Sequence, residues 1–212
     1  MDHAVTFYHS PNTRSTGARI LLEELGAPYE LHALNMKAGE HRRADYLAVN
    51  PLGKVPAVAV DGMVVTEQVA IFIYLPDLFP AAGLAPGIDD PLRGPYLRWI
   101  AYYGSAFEPA IIDRAQQREP GKREMSPYGD YDAVIAALAA QLEQGPFLLG
   151  ERFTAADVLW GTALHWTMMF KIVPDRPEFV AYVERVRARP SFAKVAAADA
   201  ALAATFEPAA PL

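Results

Sequence analysis

Two short apolar runs, Ala57-Val58-Ala59-Val60 and Met63-Val64-Val65, meet at Asp61-Gly62. An Asp-Gly pair tolerates the positive φ angles of a two-residue turn, so the runs are read as the strands of an antiparallel hairpin. Pro56 stands directly before the first run; it cannot donate to a ladder and therefore belongs at the strand's entry. What precedes must pack against this hairpin. Val5-Thr6-Phe7-Tyr8 reads as a buried strand, ended by the turn-like stretch His9 to Thr13. Ala18, Leu21, Leu22 and Leu25 recur at helical spacing, which predicts a helix over Ser15 to Leu25, closed by Gly26. Tyr29 to Leu34 is a second strand, Arg42 to Val49 a short helix, and a further helix starts at Gln68. The order β-α-β-α-β-β-α implies one small mixed sheet: a parallel pair joined by a helix, plus the hairpin.

After Phe79-Pro80 the composition changes. Residues 81–91 carry Gly83, Pro86, Gly87 and Pro91 among small residues, which suits a linker. Beyond it no strand is evident. Helical patterns run over 91–118, 130–144, 155–170, 177–189 and 190–204, with a Pro- and Gly-containing loop at 119–129. The expected organisation is an α/β domain over 1–80, a linker over 81–91 and an all-helical domain over 92–212. Pro76 lies inside the helix that starts at Gln68 and is expected to kink or end it.

Composition removes several classes of function. With no cysteine, disulfides, thiolate metal sites and a protein-thiol nucleophile are excluded, so any sulfur chemistry must use a ligand's thiol. The five histidines, at 3, 9, 32, 41 and 165, show no metal-binding spacing, and no metal is expected. A formal net charge of -6 with scattered basic residues argues against nucleic acid; His41-Arg42-Arg43 is too short to form a patch. No apolar run reaches the ~18 residues of a membrane span. The opening Met1-Asp2-His3-Ala4-Val5 lacks the layout of a signal peptide, so a cytoplasmic location is expected.

Two stretches carry candidate chemistry. In Asn50-Pro51-Leu52-Gly53-Lys54-Val55-Pro56, a cis Val55–Pro56 bond would turn the chain sharply and leave the Val55 N–H and C=O open to an added extended peptide. The alternative is an ordinary proline at a strand start. In Thr66-Glu67-Gln68, the start of a helix offers free N–H groups for a carboxylate, while Glu67 can receive an ammonium. The alternative is a helix cap and nothing more.

Together the stretches NPLGKVPAV, the Asp-Gly hairpin and TEQVAIFIYL resemble the cytosolic glutathione transferase superfamily. The opening FYHSPNTRSTGARILLEELG is similar to the same family, with Arg19 and Gly26 in the expected places. So is Phe153-Thr154-Ala155-Ala156-Asp157-Val158, a capping box with a hydrophobic staple to which no catalytic role is assigned. The resemblance covers nearly the whole chain. It implies a thioredoxin-like domain that binds glutathione as co-substrate, a helical domain for a hydrophobic electrophile, and a homodimer.

The resemblance also implies a site. Val55, held by Pro56, would pair with the cysteinyl part of glutathione; Glu67 and Gln68 would hold the γ-glutamyl end, with Gln68 where the family usually has Ser. Lys54 would meet the glycyl carboxylate, with His41 and Lys37 nearby. For the thiol, counting back from Arg19 and Gly26 puts Asn12 at the catalytic Ser position of the serine-type classes, with Thr13 or Ser10 assisting. Arg14 stands where cysteine-type members keep their Cys. Tyr8 sits at the tyrosine-type position, although a strand tyrosine commonly fills the core. Ser15 is read as a cap of the first helix. Tyr103 and Phe107, one turn apart, are candidates for lining the electrophile pocket, expected between the domains; Trp160 and Trp166 are read as core. The leading function is thiolate transfer to an electrophile. Isomerisation, ether cleavage or peroxide reduction at the same site, and a non-catalytic binding module, remain alternatives.

Overall fold

The computed structural model describes residues 3–118 and 121–206. It divides into two compact units: one holds the chain up to Ala82 together with the stretch from Pro190, the other Gly83–Arg189. The first unit is built on a four-stranded sheet of order β2-β1-β3-β4, where β1 is Val5–His9, β2 Glu30–Ala33, β3 Ala57–Val60 and β4 Met63–Val65. β1 pairs with β2 in parallel, Phe7 opposite Leu31, and with β3 antiparallel, Phe7 opposite Val58. The β3–β4 turn is the expected hairpin: Asp61 and Gly62 have φ of 50° and 85°, both in the left-handed region that such a turn requires.

Helices α1 (Ser15–Leu25), α2 (Ala44–Val49) and α3 (Gln68–Leu78) complete the α/β layer. α1 buries Ala18, Leu21, Leu22 and Leu25, the stripe read from the sequence, and ends at Gly26 with φ 61°. Phe7, Leu21, Leu22, Val58, Ile71, Phe72 and Leu75 form the interior of this unit. Pro76 does not end α3, which continues to Leu78 and closes with the Phe79 N–H on the Leu75 carbonyl at 2.9 Å. A proline removes one backbone donor. Here the burial of Ile71, Phe72, Leu75 and Pro76 itself holds the helix in place.

The second unit contains α4 (Arg93–Tyr102), α5 (Glu108–Ala115), α6 (Tyr131–Leu142), α7 (Ala155–Met169) and α8 (Pro177–Arg187). The single helix expected over 91–118 is interrupted by a π-type turn, Tyr103–Phe107. Pro109 follows in the first turn of α5; it has no N–H for the carbonyl four residues back, and the widened turn ends where that bond would be lost. Of the loop expected over 119–129, residues 119 and 120 lie outside the described residues, as do Met1 and Asp2 of the opening segment. The described remainder of the loop holds a short 3-10 turn, Arg123–Met125.

α7 opens on the capping box read from the sequence. The Thr154 N–H donates to Asp157 Oδ2 at 2.8 Å, while Asp157 Oδ1 accepts from the Leu148 N–H and the Tyr182 hydroxyl, each at 2.9 Å. Burial pushes the Asp157 carboxyl above its ordinary range against these hydrogen bonds. Trp160 packs in the middle of this unit with its Nε1 donating to the Trp99 carbonyl at 3.0 Å.

The last helix, α9 (Pro190–Thr205), departs from the expected boundaries. The sequence pattern groups it with the other helices over 92–212, yet it packs on α1 in the first unit. Phe192 and Val195 are buried there, Ser191 donates to Glu24 and Lys194 to Glu23. A helical period reveals that a segment has an apolar face, not which layer receives it.

Candidate functional site

The Val55–Pro56 peptide bond is cis. The loop before it is tied down from one side: the Lys54 carbonyl accepts the Tyr46 hydroxyl at 2.5 Å and the Asn50 side-chain amide at 2.8 Å. Burial, foremost, lifts the Tyr46 hydroxyl's pKa to about 12, so it remains a donor across the physiological range. The Val55 side chain is anchored in a small cluster with Leu34 and Tyr46, against which Tyr8, Met36 and Val49 pack. Its main chain is left open. Among the described residues neither the Val55 N–H nor its carbonyl has a hydrogen-bond partner. Gly53 permits the approach to this turn: its φ is 59°, and a Cβ there would lie 2.7 Å from the His41 carbonyl oxygen.

Lys54 is exposed. The contact at Gly53 brings His41 beside it, and His41 Nδ1 is buried with no hydrogen-bond partner among the described residues. Burial, then the positive charges of Arg42 and Lys54, lower the His41 pKa and favour its neutral ring. Lys37 is exposed.

At the other end of the hairpin, Glu67 precedes α3 with φ 64° and ψ 120°, a conformation rare for a residue with a side chain. Its carboxylate is exposed and without a side-chain partner among the described residues. The first main-chain bond of α3 is the Ile71 N–H to the Glu67 carbonyl at 3.0 Å, so the N–H groups before it face away from the helix's own carbonyls. The Gln68 amide donates to the Arg14 carbonyl at 3.3 Å, which joins this helix start to the loop between β1 and α1.

That loop holds the thiol-activating candidates in three different settings. Asn12 has φ 59°, is exposed, and its amide makes no hydrogen bond among the described residues; asparagine tolerates this backbone better than most residues. Thr13 is half-buried and its hydroxyl donates to the Ser10 carbonyl at 2.7 Å. Ser10 is buried, with its N–H on Ser15 Oγ at 3.1 Å. Ser15 does not cap α1: the capping position is Arg14, and the Ser15 side chain turns inward instead. Tyr8 packs its ring against His32 and Tyr46, with centroids 5.0 and 5.6 Å away.

The turned-in Ser15 belongs to a network that residue-by-residue reading of the sequence misses. Ser15 Oγ lies 2.8 Å from His9 Nδ1, and His9 Nε2 lies 3.0 Å from Asp199 Oδ1 on α9. Asp199 also accepts from Thr16 at 2.6 Å and Arg19 at 2.7 Å. Burial raises the Asp199 carboxyl, but the bonds from His9, Thr16 and Arg19 outweigh it and hold the group below its ordinary range. No local signal announces this network, because Asp199 is 190 residues from His9.

Tyr103 and Phe107 are almost fully buried, with ring centroids 5.7 and 4.8 Å from Trp160. Read from the sequence as candidates for lining the electrophile pocket, they instead fill the interior of the helical unit. The same unit carries a concavity lined by Leu92, Arg98, Trp99, Gln141 and Leu149, with the Arg98 guanidinium 4.2 Å from the Trp99 ring centroid.

The matching family models are those of one family. Residues 3–77 match the model of the glutathione S-transferase N-terminal domain, and residues 107–190 that of its C-terminal domain. A crystal structure described as a glutathione transferase from Methylococcus capsulatus superposes with a TM-score of 0.79 at 30% identity, covering 93% of this chain and all (100%) of that one. A sphingomonad glutathione S-transferase complexed with glutathione gives 0.77 at 28% identity, covering 92% and 98%. Among curated sequences, glutathione S-transferase GstA of Escherichia coli O157:H7 is 27% identical over 186 residues, 86% of this chain and 92% of the relative.

Proposed function

This chain belongs to the glutathione S-transferase family, and from that premise we propose how its own residues bind glutathione and activate its thiol. The transferase captures glutathione as an added strand on Val55, holds its two charged ends with Glu67, Gln68 and Lys54, and presents the sulfur to the loop that carries Asn12. The observation that carries this is the Val55 main chain, whose N–H and C=O lack partners among the described residues, while the Gly53 N–H and the Lys54 carbonyl beside it are bonded. An extended tripeptide supplies the complementary acceptor and donor.

The charges at the two ends suit the same ligand. Glutathione's γ-glutamyl end carries an ammonium and a carboxylate side by side. Glu67 offers the exposed negative charge, and the start of α3 offers N–H groups and the positive end of the helix dipole. The glycyl carboxylate fits exposed Lys54, with His41 beside it.

For the chemistry, the free thiol has a pKa of about 8.5, and lowering it by about two units requires about 2.7 kcal/mol of preference for the anion. An N–H donor aimed at the sulfur and a nearby helix start are of that size. The unengaged Asn12 amide is the donor that needs no rearrangement, with the Thr13 hydroxyl and Ser10 beside it. The thiolate then attacks a hydrophobic electrophile held by the helical unit, by addition or displacement. We further propose a cytoplasmic homodimer, as the family resemblance implies; among the described residues no helix is long and apolar enough to cross a membrane.

Retention on immobilised glutathione and conjugation of a chloronitrobenzene test the reading in turn. Asn12→Ala is expected to raise the bound thiol's pKa in an ultraviolet thiolate titration while glutathione is still retained. A titration unchanged by that substitution would transfer the donor's role to Thr13, Ser10 or Tyr8.

A further inference from the structure

The geometry points to a proton wire, Thr13–Ser15–His9–Asp199, that carries glutathione's thiol proton onto His9 and leaves the thiolate beside the Thr13 hydroxyl. This rests on the reading above that the sulfur lies at the β1–α1 loop. Every link is a hydrogen-bond contact within the first unit. Thr13 Oγ1 and Ser15 Oγ are 2.7 Å apart, Ser15 Oγ and His9 Nδ1 2.8 Å, His9 Nε2 and Asp199 Oδ1 3.0 Å. His9 and Ser15 have no exposure at all, and Thr13, half-buried, is the member of the chain that a ligand can reach.

Counting protons sets the direction. Asp199 is an acceptor only, held ionised by Thr16 and Arg19 as well as His9, so His9 Nε2 carries a proton and donates it there. Nδ1 of the neutral ring is then a bare acceptor. Ser15, with one hydroxyl proton, gives it to Nδ1, while its oxygen accepts the Ser10 N–H at 3.1 Å. Thr13 gives its own proton inward, to Ser15 or to the Ser10 carbonyl at 2.7 Å, and its oxygen already accepts the Ser15 N–H at 3.2 Å. In this state Thr13 faces a ligand with a lone pair and no proton to offer, so a thiol S–H can donate to it.

Transfer reverses the bonds from Thr13 through Ser15 to Nδ1, while Nε2–H goes on donating to Asp199. The S–H bond breaks and an O–H bond forms at Thr13; the proton Thr13 held passes to Ser15, and that of Ser15 passes to His9 Nδ1. Three bonds to hydrogen break and three form, with no change in oxidation state. Thiol and neutral imidazole become thiolate and imidazolium, the latter beside the Asp199 carboxylate. Nδ1–H now donates to Ser15, Ser15 donates to Thr13 or to the Ser10 carbonyl 3.0 Å away, and Thr13's proton is free to point at the sulfur anion. The acceptor of the proton thus turns into a donor to the product. The logic is that of a nucleophile activated by a base that a third group orients, extended through two hydroxyls. The other charged and titratable groups around His9 are Arg19 on Asp199, then Tyr29 on Arg19, Glu23 on Tyr29 and Lys194 on Glu23. Thr13 is the catalytic residue in this scheme; Ser15, His9 and Asp199 position it and take up its proton.

The decisive quantity is the number of protons released when glutathione binds. The intact protein is titrated with glutathione by calorimetry in two buffers of different ionisation heat, at a pH where the thiolate absorbance shows the bound thiol ionised. A wire that ends on His9 keeps the proton in the protein, so the expected release is near zero per thiolate formed. Release of one proton per thiolate overturns the proposal. Thr13→Val, at a half-buried position, is expected to raise the thiolate midpoint by about one unit, a tenfold loss of thiolate below the midpoint, and Thr13→Ser to restore it. Equal midpoints for Thr13→Val and the unaltered protein would also overturn it. No heat and no retention with glutathione would defeat the glutathione reading itself, a result separable from a protein that binds glutathione and releases the proton.

Discussion

Asp199 shows how one buried charge ties distant sequence together. It receives His9, Thr16 and Arg19, and these bonds hold its pKa below the ordinary carboxylate range against the opposing effect of burial. The sign of the linkage follows. A carboxyl with a depressed folded pKa contributes stability that is full above its unfolded value, about 3.9, and drains away as pH falls through the folded value. Asp199→Asn is therefore expected to cost about 2–4 kcal/mol near neutrality, since it leaves Arg19 and His9 facing a neutral amide. Its urea midpoint is expected to converge on that of the unaltered protein in acid. Equal midpoints at neutral pH would contradict the account of this network. At this scale the sequence was readable only where chemistry is local. Pro56, Glu67 and Asn12 stand out from their own neighbours; His9 and Ser15 do not, because what makes them notable is a carboxylate in the last helix.

Among elements, the segment Gly53-Lys54-Val55-Pro56 has the strictest requirements. Gly53 combines a left-handed φ with a neighbour 2.7 Å from where a Cβ would stand, and that neighbour is main chain, which cannot turn aside as a side chain can. Gly53→Ala is expected to lower stability by roughly 1–3 kcal/mol and to weaken glutathione retention, because the displaced segment carries both Lys54 and Val55. Thermal unfolding with and without glutathione reads both effects; a variant that keeps its affinity would show that the segment's path is not what positions Val55. Elements with a strong local signal were legible: the Asp61-Gly62 hairpin, the α1 stripe and the Thr154–Asp157 box all occur where their patterns stand. The misread ones are proline effects. Pro76 was read as a kink or an end, and α3 does not end there, whereas Pro109 coincides with a π-type turn in what the pattern presents as one helix.

At the scale of the molecule, the first unit is not one continuous stretch of chain: it is completed by α9. That helix supplies Phe192, Val195 and Asp199 to the interior and pairs Lys194 with Glu23. Ending the chain at Arg189 is thus expected to destabilise the α/β unit, lowering its urea midpoint and exposing apolar surface to a reporter dye, even though all four strands are retained. A truncated protein that binds glutathione with unchanged stability would show α9 to be an accessory. The sequence disclosed the helical character of α9 but not its destination, since an alanine-rich helix fits against either layer.

The central claim is that Val55 lends its main chain to glutathione, and a crystal structure of the protein with glutathione tests it most directly. The expected complex has the Val55 N–H and C=O paired with the tripeptide backbone, its γ-glutamyl end at Glu67 and Gln68, and its sulfur within hydrogen-bond reach of Asn12 or Thr13. Glutathione bound elsewhere, with the Val55 main chain still unpaired, would contradict it.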